Sequence, residues 1–266
     1  MGNVSPVILC FKWGQGYPSK YTNIAFRALT DRMQTPFRFV CMTDDPSGLA
    51  QGIETMPFPD FEMDRADWNS GMWPKLCAFA PNLFSPGTPI LMMDVDVVIV
   101  KDLSPLFDRI AESDALHIIE EIPDTLPRLF PKTFGKPLLS NSSVVGFVAG
   151  TQEHIFEQFR NCTHSDLSEF RNDQNFIHYH ATDRRHWPLG WMLSFKKSLA
   201  WHFPMNLLRP VPYPGGFVVI FHGAPNPEDM TKGAFERWGT AEKFGYFPVK
   251  WIKSYWLAYC DREDNK

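Results

Sequence analysis

The sequence predicts a single α/β domain, Rossmann-like, with a mainly parallel central sheet flanked by helices. Two stretches carry this expectation. Residues 7–11 (VILCF), 21–33 and 37–42 (FRFVCM) read as strand, helix, strand. A βαβ unit of that length requires a parallel pair joined by a crossover helix. Residues 89–101 (PILMMDVDVVIVK) are a nearly unbroken apolar run between turn-forming residues, the pattern of a strand buried on both faces.

The remaining elements follow in order. Within 21–33, Ile24, Ala25, Ala28, Leu29 and Met33 recur at helical spacing. Thr43-Asp44-Asp45-Pro46-Ser47-Gly48 ends the second strand with strong turn chemistry. Residues 50–70 read as a short strand and an irregular acidic stretch. Residues 73–80 (WPKLCAFA) read as a short helix with Pro in its first turn. Helices are expected over 103–112, 152–161 and 173–180, and strands over 115–119 and 143–148. Residues 123–137 contain four prolines and read as a long substrate-facing loop. The 200s are Pro-rich and read as strand-like, and 217–221 (FVVIF) is the last clear strand. No internal repeat or linker divides the chain, so 1–240 is expected to be one domain and 241–266 a C-terminal aromatic and basic segment.

Composition narrows the function classes. The 266 residues suffice for a full core, and 44% hydrophobic with 21% charged residues is ordinary globular composition. A net charge of −4 gives no reason to expect a nucleic-acid partner. Five widely spaced cysteines without a C-x-x-C pair favour reduced thiols over a disulfide scaffold or zinc site. There is no apolar run long enough for a membrane span and no signal-peptide pattern. Pro6 stands where a myristoylation motif needs Ser or Thr. A cytoplasmic location is expected. Residues 243–259 carry three lysines, no acid and seven aromatics. They read either as a helix closing the core or as an interfacial segment in peripheral contact with the inner face of a membrane.

The chemistry centres on Asp94-Val95-Asp96. Two carboxylates inside an apolar strand are costly to bury unpaired. They are best explained at the carboxyl end of the strand, where open α/β sheets place ligands, with the backbone kinked so that both reach a divalent cation.

With Lys75 before that strand, Lys101-Asp102-Leu103 after it, Asn141-Ser142-Ser143, Asp173-Gln174 and Phe221-His222-Gly223, the order of motifs resembles the GT-A glycosyltransferases. The nearest likeness is to the family of glycogenin and the bacterial lipopolysaccharide galactosyltransferases. The resemblance implies a metal-dependent enzyme that transfers a sugar from a nucleotide diphosphate sugar, in the first instance a UDP-sugar, to a saccharide or lipid-linked saccharide, with retention. It implies that Lys12, Trp13 and Tyr17 hold the base, an aromatic stacking on it, together with Thr43 and Asp44. It further implies that Asp94, Asp96 and His222 bind Mn²⁺ or Mg²⁺. Lys75 would bridge a donor phosphate or sugar hydroxyl, Asn141 and Asp173 would contact the donor sugar, and Gln174 would lie nearest the reacting carbon. Gly223 would allow close approach of phosphate. Asp173 also fits a general base in an inverting enzyme, and both stereochemical outcomes stay open. The family lysine shortly after His-Gly is absent, which leaves the diphosphate to backbone N–H groups or Lys232, and Ser143 stands where the family has Gly.

Two other readings compete. Asp94 and Asp96 also fit the nucleophile and acid/base of a haloacid-dehalogenase-type phosphatase, although the strand continues apolar where a mobile loop belongs. The altered segment after His222 fits a nucleotide-sugar-binding protein without catalysis.

Overall fold

The computed structural model describes residues 5–121, 139–233, 236–240 and 244–260. The loop expected over 123–137 lies outside them. The first strand, β1 (Val7–Lys12), is buried along its whole length. Its uninterrupted apolar character is that of a central strand with parallel neighbours on both sides. It pairs in parallel with β2 (Arg38–Thr43) and with β4 (Pro89–Met93), and β2 pairs in parallel with β3 (Glu54–Met56). Helix α1 (Ser19–Arg32) makes the β1–β2 crossover and buries Tyr21, Ile24, Ala25, Ala28 and Leu29. Beyond β4 come β7 (Ser140–Val148), β6 (Leu116–Glu120) and β8 (Arg184–His186), giving the sheet order β3-β2-β1-β4-β7-β6-β8. β7 runs antiparallel to both β4 and β6, and β6 pairs in parallel with β8. Helix α2 (Ser104–Ala111) covers one face of the sheet; α3 (Glu153–Asn161) and α4 (Asp173–His180) cover the other.

Residues 89–101 differ from the single strand expected of them. The run breaks at Asp94 into β4 and β5 (Val97–Ile99), which belong to different sheets. β5 pairs antiparallel with β10 (Val218–Ile220), and β10 pairs in parallel with β9 (Met192–Ser194). The apolar residues on both sides of the acidic pair are buried, so hydrophobicity alone gives no sign of the change of sheet. The strand-like reading of the 200s also fails. Residues 200–216 hold a 3₁₀ turn at Met205–Leu207 and no strand. Pro204, Pro210, Pro212 and Pro214 each lack the N–H that a ladder needs. The segment 73–80 is a 3₁₀ helix, Trp73–Phe79, with all seven residues buried.

The C-terminal helix α5 (Lys250–Cys260) buries Ile252, Tyr255, Trp256 and Tyr259. Trp256 meets Tyr21 of α1 edge-on at 4.8 Å, and Arg32 of α1 reaches the Tyr259 hydroxyl. Tyr255, Trp256 and Tyr259 therefore belong to the core. No helix among the described residues is long and apolar enough to cross a membrane. None of the five cysteines forms a disulfide.

Inside the main sheet, His117 on β6 lies opposite Gly146 on β7. A Cβ at Gly146 would come within 2.7 Å of Ile110 and 2.8 Å of Trp187, so only glycine fits there. His117 stacks against Trp187 at 5.1 Å, and neither of its ring nitrogens has a hydrogen-bond partner. Burial, and then Arg109 and Arg185, hold its pKa below the ordinary value. The unfolded chain therefore takes up a proton below about pH 6.5 that the folded chain refuses, and stability falls as the pH drops. His117→Leu, which removes two unpaired nitrogens, is expected to leave the protein at least as stable at pH 7. It should also flatten the fall in unfolding free energy between pH 7 and pH 5, as measured by urea denaturation.

Candidate active site

The bend between β4 and β5 places Asp94 and Asp96 at the carboxyl end of the main sheet. The N–H of Asp94 donates to the carbonyl of Ser143 at 2.9 Å, which ties the bend to the start of β7. Asp96 is 6% exposed, and burial and the neighbouring Asp94 charge raise its pKa. The Tyr17 hydroxyl donates to Asp96 Oδ2 at 2.8 Å. Burial, and then the Asp96 charge, keep that phenol protonated well above the usual range.

Lys75 projects from the 3₁₀ helix into the space beside Asp94. Its ammonium lies 2.6 Å from Asp94 Oδ1 and 3.7 Å from Asp173 Oδ2. Burial disfavours the Lys75 cation, but Asp173 and Asp94 more than offset this, and its pKa is raised. Asp173 opens α4, where the Asn172 side chain caps the helix by accepting from the N–H of Asn175 at 3.2 Å. The Ser142 hydroxyl donates to Asp173 Oδ2 at 2.6 Å. Burial raises the Asp173 pKa, and Lys75 and Ser142 work against that shift.

Six residues singled out from the sequence come together here. Lys12, Trp13, Tyr17, Lys75, Asp94 and Asp96 line one cavity of about 440 Å³ at the carboxyl ends of β1 and β4. Trp13 is held in its wall by an indole N–H donated to Asn69 Oδ1 at 2.8 Å. Lys12 is turned toward the β2 turn, where its ammonium donates to the Asp45 carbonyl at 2.9 Å.

A second group adjoins the first through Asp94 and Lys75. Asn141 donates from Nδ2 to Gln174 Oε1 at 3.3 Å and stands 3.4 Å from His222 Nδ1. Burial, and then Lys197 and Lys196, lower the His222 pKa to about 4, so its imidazole is neutral. Gly223 follows with φ of 60°, a left-handed turn that favours glycine.

Other expected residues lie apart. Thr43 is buried and its hydroxyl donates to the Asp45 carbonyl at 3.0 Å; Asp44 pairs with Arg65 at 2.8 Å and accepts from the Gly14 N–H at 3.3 Å. Neither lines the cavity. Thr43 Oγ1 is engaged within its own turn, whereas Asp44 is engaged by Arg65 and Gly14. Asp94, Asp96 and His222 are not drawn together into a three-ligand cluster, and no group of three His, Cys, Asp or Glu among the described residues is. Lys232 is exposed, with its ammonium 3.4 Å from the Arg237 carbonyl.

Several contributors went unread in the sequence. Lys196 Nζ donates to the His222 carbonyl at 2.5 Å, and Lys197 stands 3.5 Å from Glu121 and lines a small pocket with Asn141 and His222. The pair was visible as a dibasic step, but the strand β9 that delivers it was not. Nothing in the sequence marks Asn69 as the partner of Trp13.

No protein-family model matches the chain, and no curated protein matches it by sequence. Solved structures do. The galactosyltransferase LgtC, solved in complex with donor and acceptor sugar analogs, matches with a TM-score of 0.60 at 11% identity, over 97% of this chain and 98% of its own. The chain has the GT-A glycosyltransferase fold. WbbM, a bifunctional glycosyltransferase, matches with a TM-score of 0.58 at 12% identity, over 98% of this chain and 50% of its own. GlyE, a glycosyltransferase of Streptococcus pneumoniae TIGR4, gives 0.56 at 10%, over 98% and 61%.

Lys75 is the only counter-charge within 4 Å of two carboxylates among the described residues of this site. Lys75→Met would leave Asp94 and Asp173 without it. Breaking a buried charge cluster from one side is expected to cost about 3–5 kcal/mol of stability, read from chemical denaturation. Lys75→Arg should recover part of the loss.

Proposed function

We propose that this protein is a glycosyltransferase that uses a nucleotide diphosphate sugar, in the first instance a UDP-sugar, and transfers the sugar to a saccharide or lipid-linked saccharide with retention. One observation carries the reading. In a glycosyltransferase fold, a single cavity has the indole of Trp13 in its wall and the Lys75, Asp94 and Asp96 charges along the same lining. An aromatic wall suits a base, and a charged end suits a diphosphate.

Asp94 and Asp96 would hold a divalent cation, and His222, which does not form a three-ligand cluster with them here, is the third donor that the resemblance implies. The donor chemistry fits: two carboxylates one residue apart suit Mn²⁺ or Mg²⁺, and a neutral imidazole favours Mn²⁺. Burial, and then the Asp94 charge, raise the Asp96 pKa, and the repulsion between the two carboxylates is of the kind a cation relieves. When bound, the ion would offset charge on the departing diphosphate as a Lewis acid. The chain's own groups do the rest. Trp13 holds the base, and Lys75 supplies a fixed ammonium beside Asp94. Asn141 and Asp173 contact the donor sugar, with Gln174 fixed by Asn141 at the reacting side. Asp173 already accepts from Ser142 at 2.6 Å and faces Lys75. A carboxylate so committed is a poor general base, which supports retention over inversion. The phosphatase alternative has no support from the fold.

Thermal unfolding with UDP, GDP and CDP, each with and without Mn²⁺, tests the reading. UDP with Mn²⁺ at 100 times its Kd should stabilise the protein by about 2.7 kcal/mol, and UDP without metal by much less. Asp96→Asn should abolish the metal-dependent part and leave the fold intact. Absence of a shift with all three nucleotides would defeat the proposal. Release or transfer of labelled sugar from a UDP-sugar separates an enzyme from an inactive binding protein.

A further inference from the structure

Tyr17 occupies a place that its expected role does not explain. Its ring lines the cavity beside Trp13 and meets Tyr21 in a T-shaped contact, with centroids 5.0 Å apart, yet its hydroxyl is directed to the acidic pair. Tyr21 is itself held by Trp256 at 4.8 Å and by its hydroxyl, which donates to Glu228 at 3.2 Å. Glu228 is tied in turn to Lys20. The ring thus sits at the end of a packed series that runs from the C-terminal helix through α1. What that series delivers is the hydroxyl, 2.8 Å from Asp96 Oδ2. Among the described residues, Tyr17 is the one side chain that hydrogen-bonds Asp96.

We propose that Tyr17 is a positioning residue for Asp96: its hydroxyl fixes the carboxylate in the orientation that the cation requires, and the base is held by Trp13 without it. This rests on the reading of Asp94 and Asp96 as cation ligands. The physical argument is one of freedom. Asp96 sits on a bend between two sheets, and its carboxylate turns about two side-chain bonds unless something holds it. A hydroxyl bonded to an ionised carboxylate is among the stronger hydrogen bonds, and it engages one oxygen while leaving the other for a ligand. Groups that orient a metal ligand in this way typically contribute about 10–100-fold to metal affinity.

The test compares Tyr17→Phe, which keeps the ring and removes the hydroxyl, with Tyr17→Ala, which removes both. Mn²⁺ affinity of the full chain, with and without UDP, is read from the electron paramagnetic resonance of free Mn²⁺. Uridine binding without metal is read by saturation-transfer NMR. In Tyr17→Phe, Mn²⁺ affinity should fall about 10–100-fold, while uridine binding and cooperative unfolding stay as in the parent. A Tyr17→Phe protein that binds Mn²⁺ as the parent does, with uridine binding lost only in Tyr17→Ala, would make the ring a base-stacking surface and overturn the proposal. Tighter Mn²⁺ binding in Tyr17→Phe would overturn it as well, because the hydroxyl would then be a competitor of the cation. A parent protein that binds UDP but shows no Mn²⁺ affinity defeats the positioning role alone; one that binds neither defeats the glycosyltransferase reading with it.

Discussion

The Lys75 ammonium, buried between Asp94 and Asp173, is the interaction on which the site depends. These carboxylates lie on distant parts of the chain, one at the end of β4 and the other at the start of α4. Without a shared cation they would repel each other in a region from which water is largely excluded. Placing an ammonium there explains why the helix that carries it is buried all round: every residue from Trp73 to Phe79 packs, and the one charge among them is fully paired. The cost of desolvating Lys75 is offset only because two negative groups receive it.

The second constraint is the change of sheet at the acidic pair. β4 ends in the main sheet against β1 and β7, and three residues later β5 begins in a small sheet against β10. A chain that leaves one sheet for another must expose backbone groups at the crossing, and polar side chains belong there. This places His222, which follows β10, on the same side of the molecule as Asp94 by strand pairing alone. It also brings Lys196 and Lys197, which follow β9, to the His222 segment, because β9 and β10 run in parallel and end in register at Ser194 and Ile220.

The parts legible in the sequence are those governed by local pattern. Continuous apolar runs gave β1, β2 and β4, and the helical spacing of Ile24, Ala25, Ala28 and Leu29 gave α1. Asn172 at the N-cap made the position of Asp173 readable. What escaped was set by long-range pairing. Val97–Ile99 looks like a continuation of Ile90–Met93, because burial in either sheet demands the same residues. Arg184–His186 and Met192–Ser194 are strands of three residues, too short to show a period, and they exist through their partners β6 and β10. The partners of individual side chains were hidden for the same reason. Asp44 faces Arg65, and Tyr17 faces Asp96 across 79 positions; neither partner is visible from the local sequence.

Charge balance supplies a physical argument for a cation that does not depend on likeness of fold. Along the cavity and around Asn141 and His222 the described side chains place the carboxylates of Asp94, Asp96, Asp173 and Glu121 against the ammonium groups of Lys12, Lys75, Lys196 and Lys197. Each of these lysines already has a partner: Lys12 the Asp45 carbonyl, Lys75 its two aspartates, Lys196 the His222 carbonyl and Lys197 Glu121. A nucleoside diphosphate entering the cavity would bring further negative charge to a region with no surplus of positive charge to receive it. Low dielectric magnifies that repulsion; burial, and then the Asp94 charge, already raise the pKa of Asp96. On the proposed reading, a divalent ion at the acidic pair would reverse the sign at the point where the diphosphate would lie. It would also make the two binding events interdependent, since each ligand supplies the charge that the other lacks. On that reading, nucleotide binding would therefore depend on the metal.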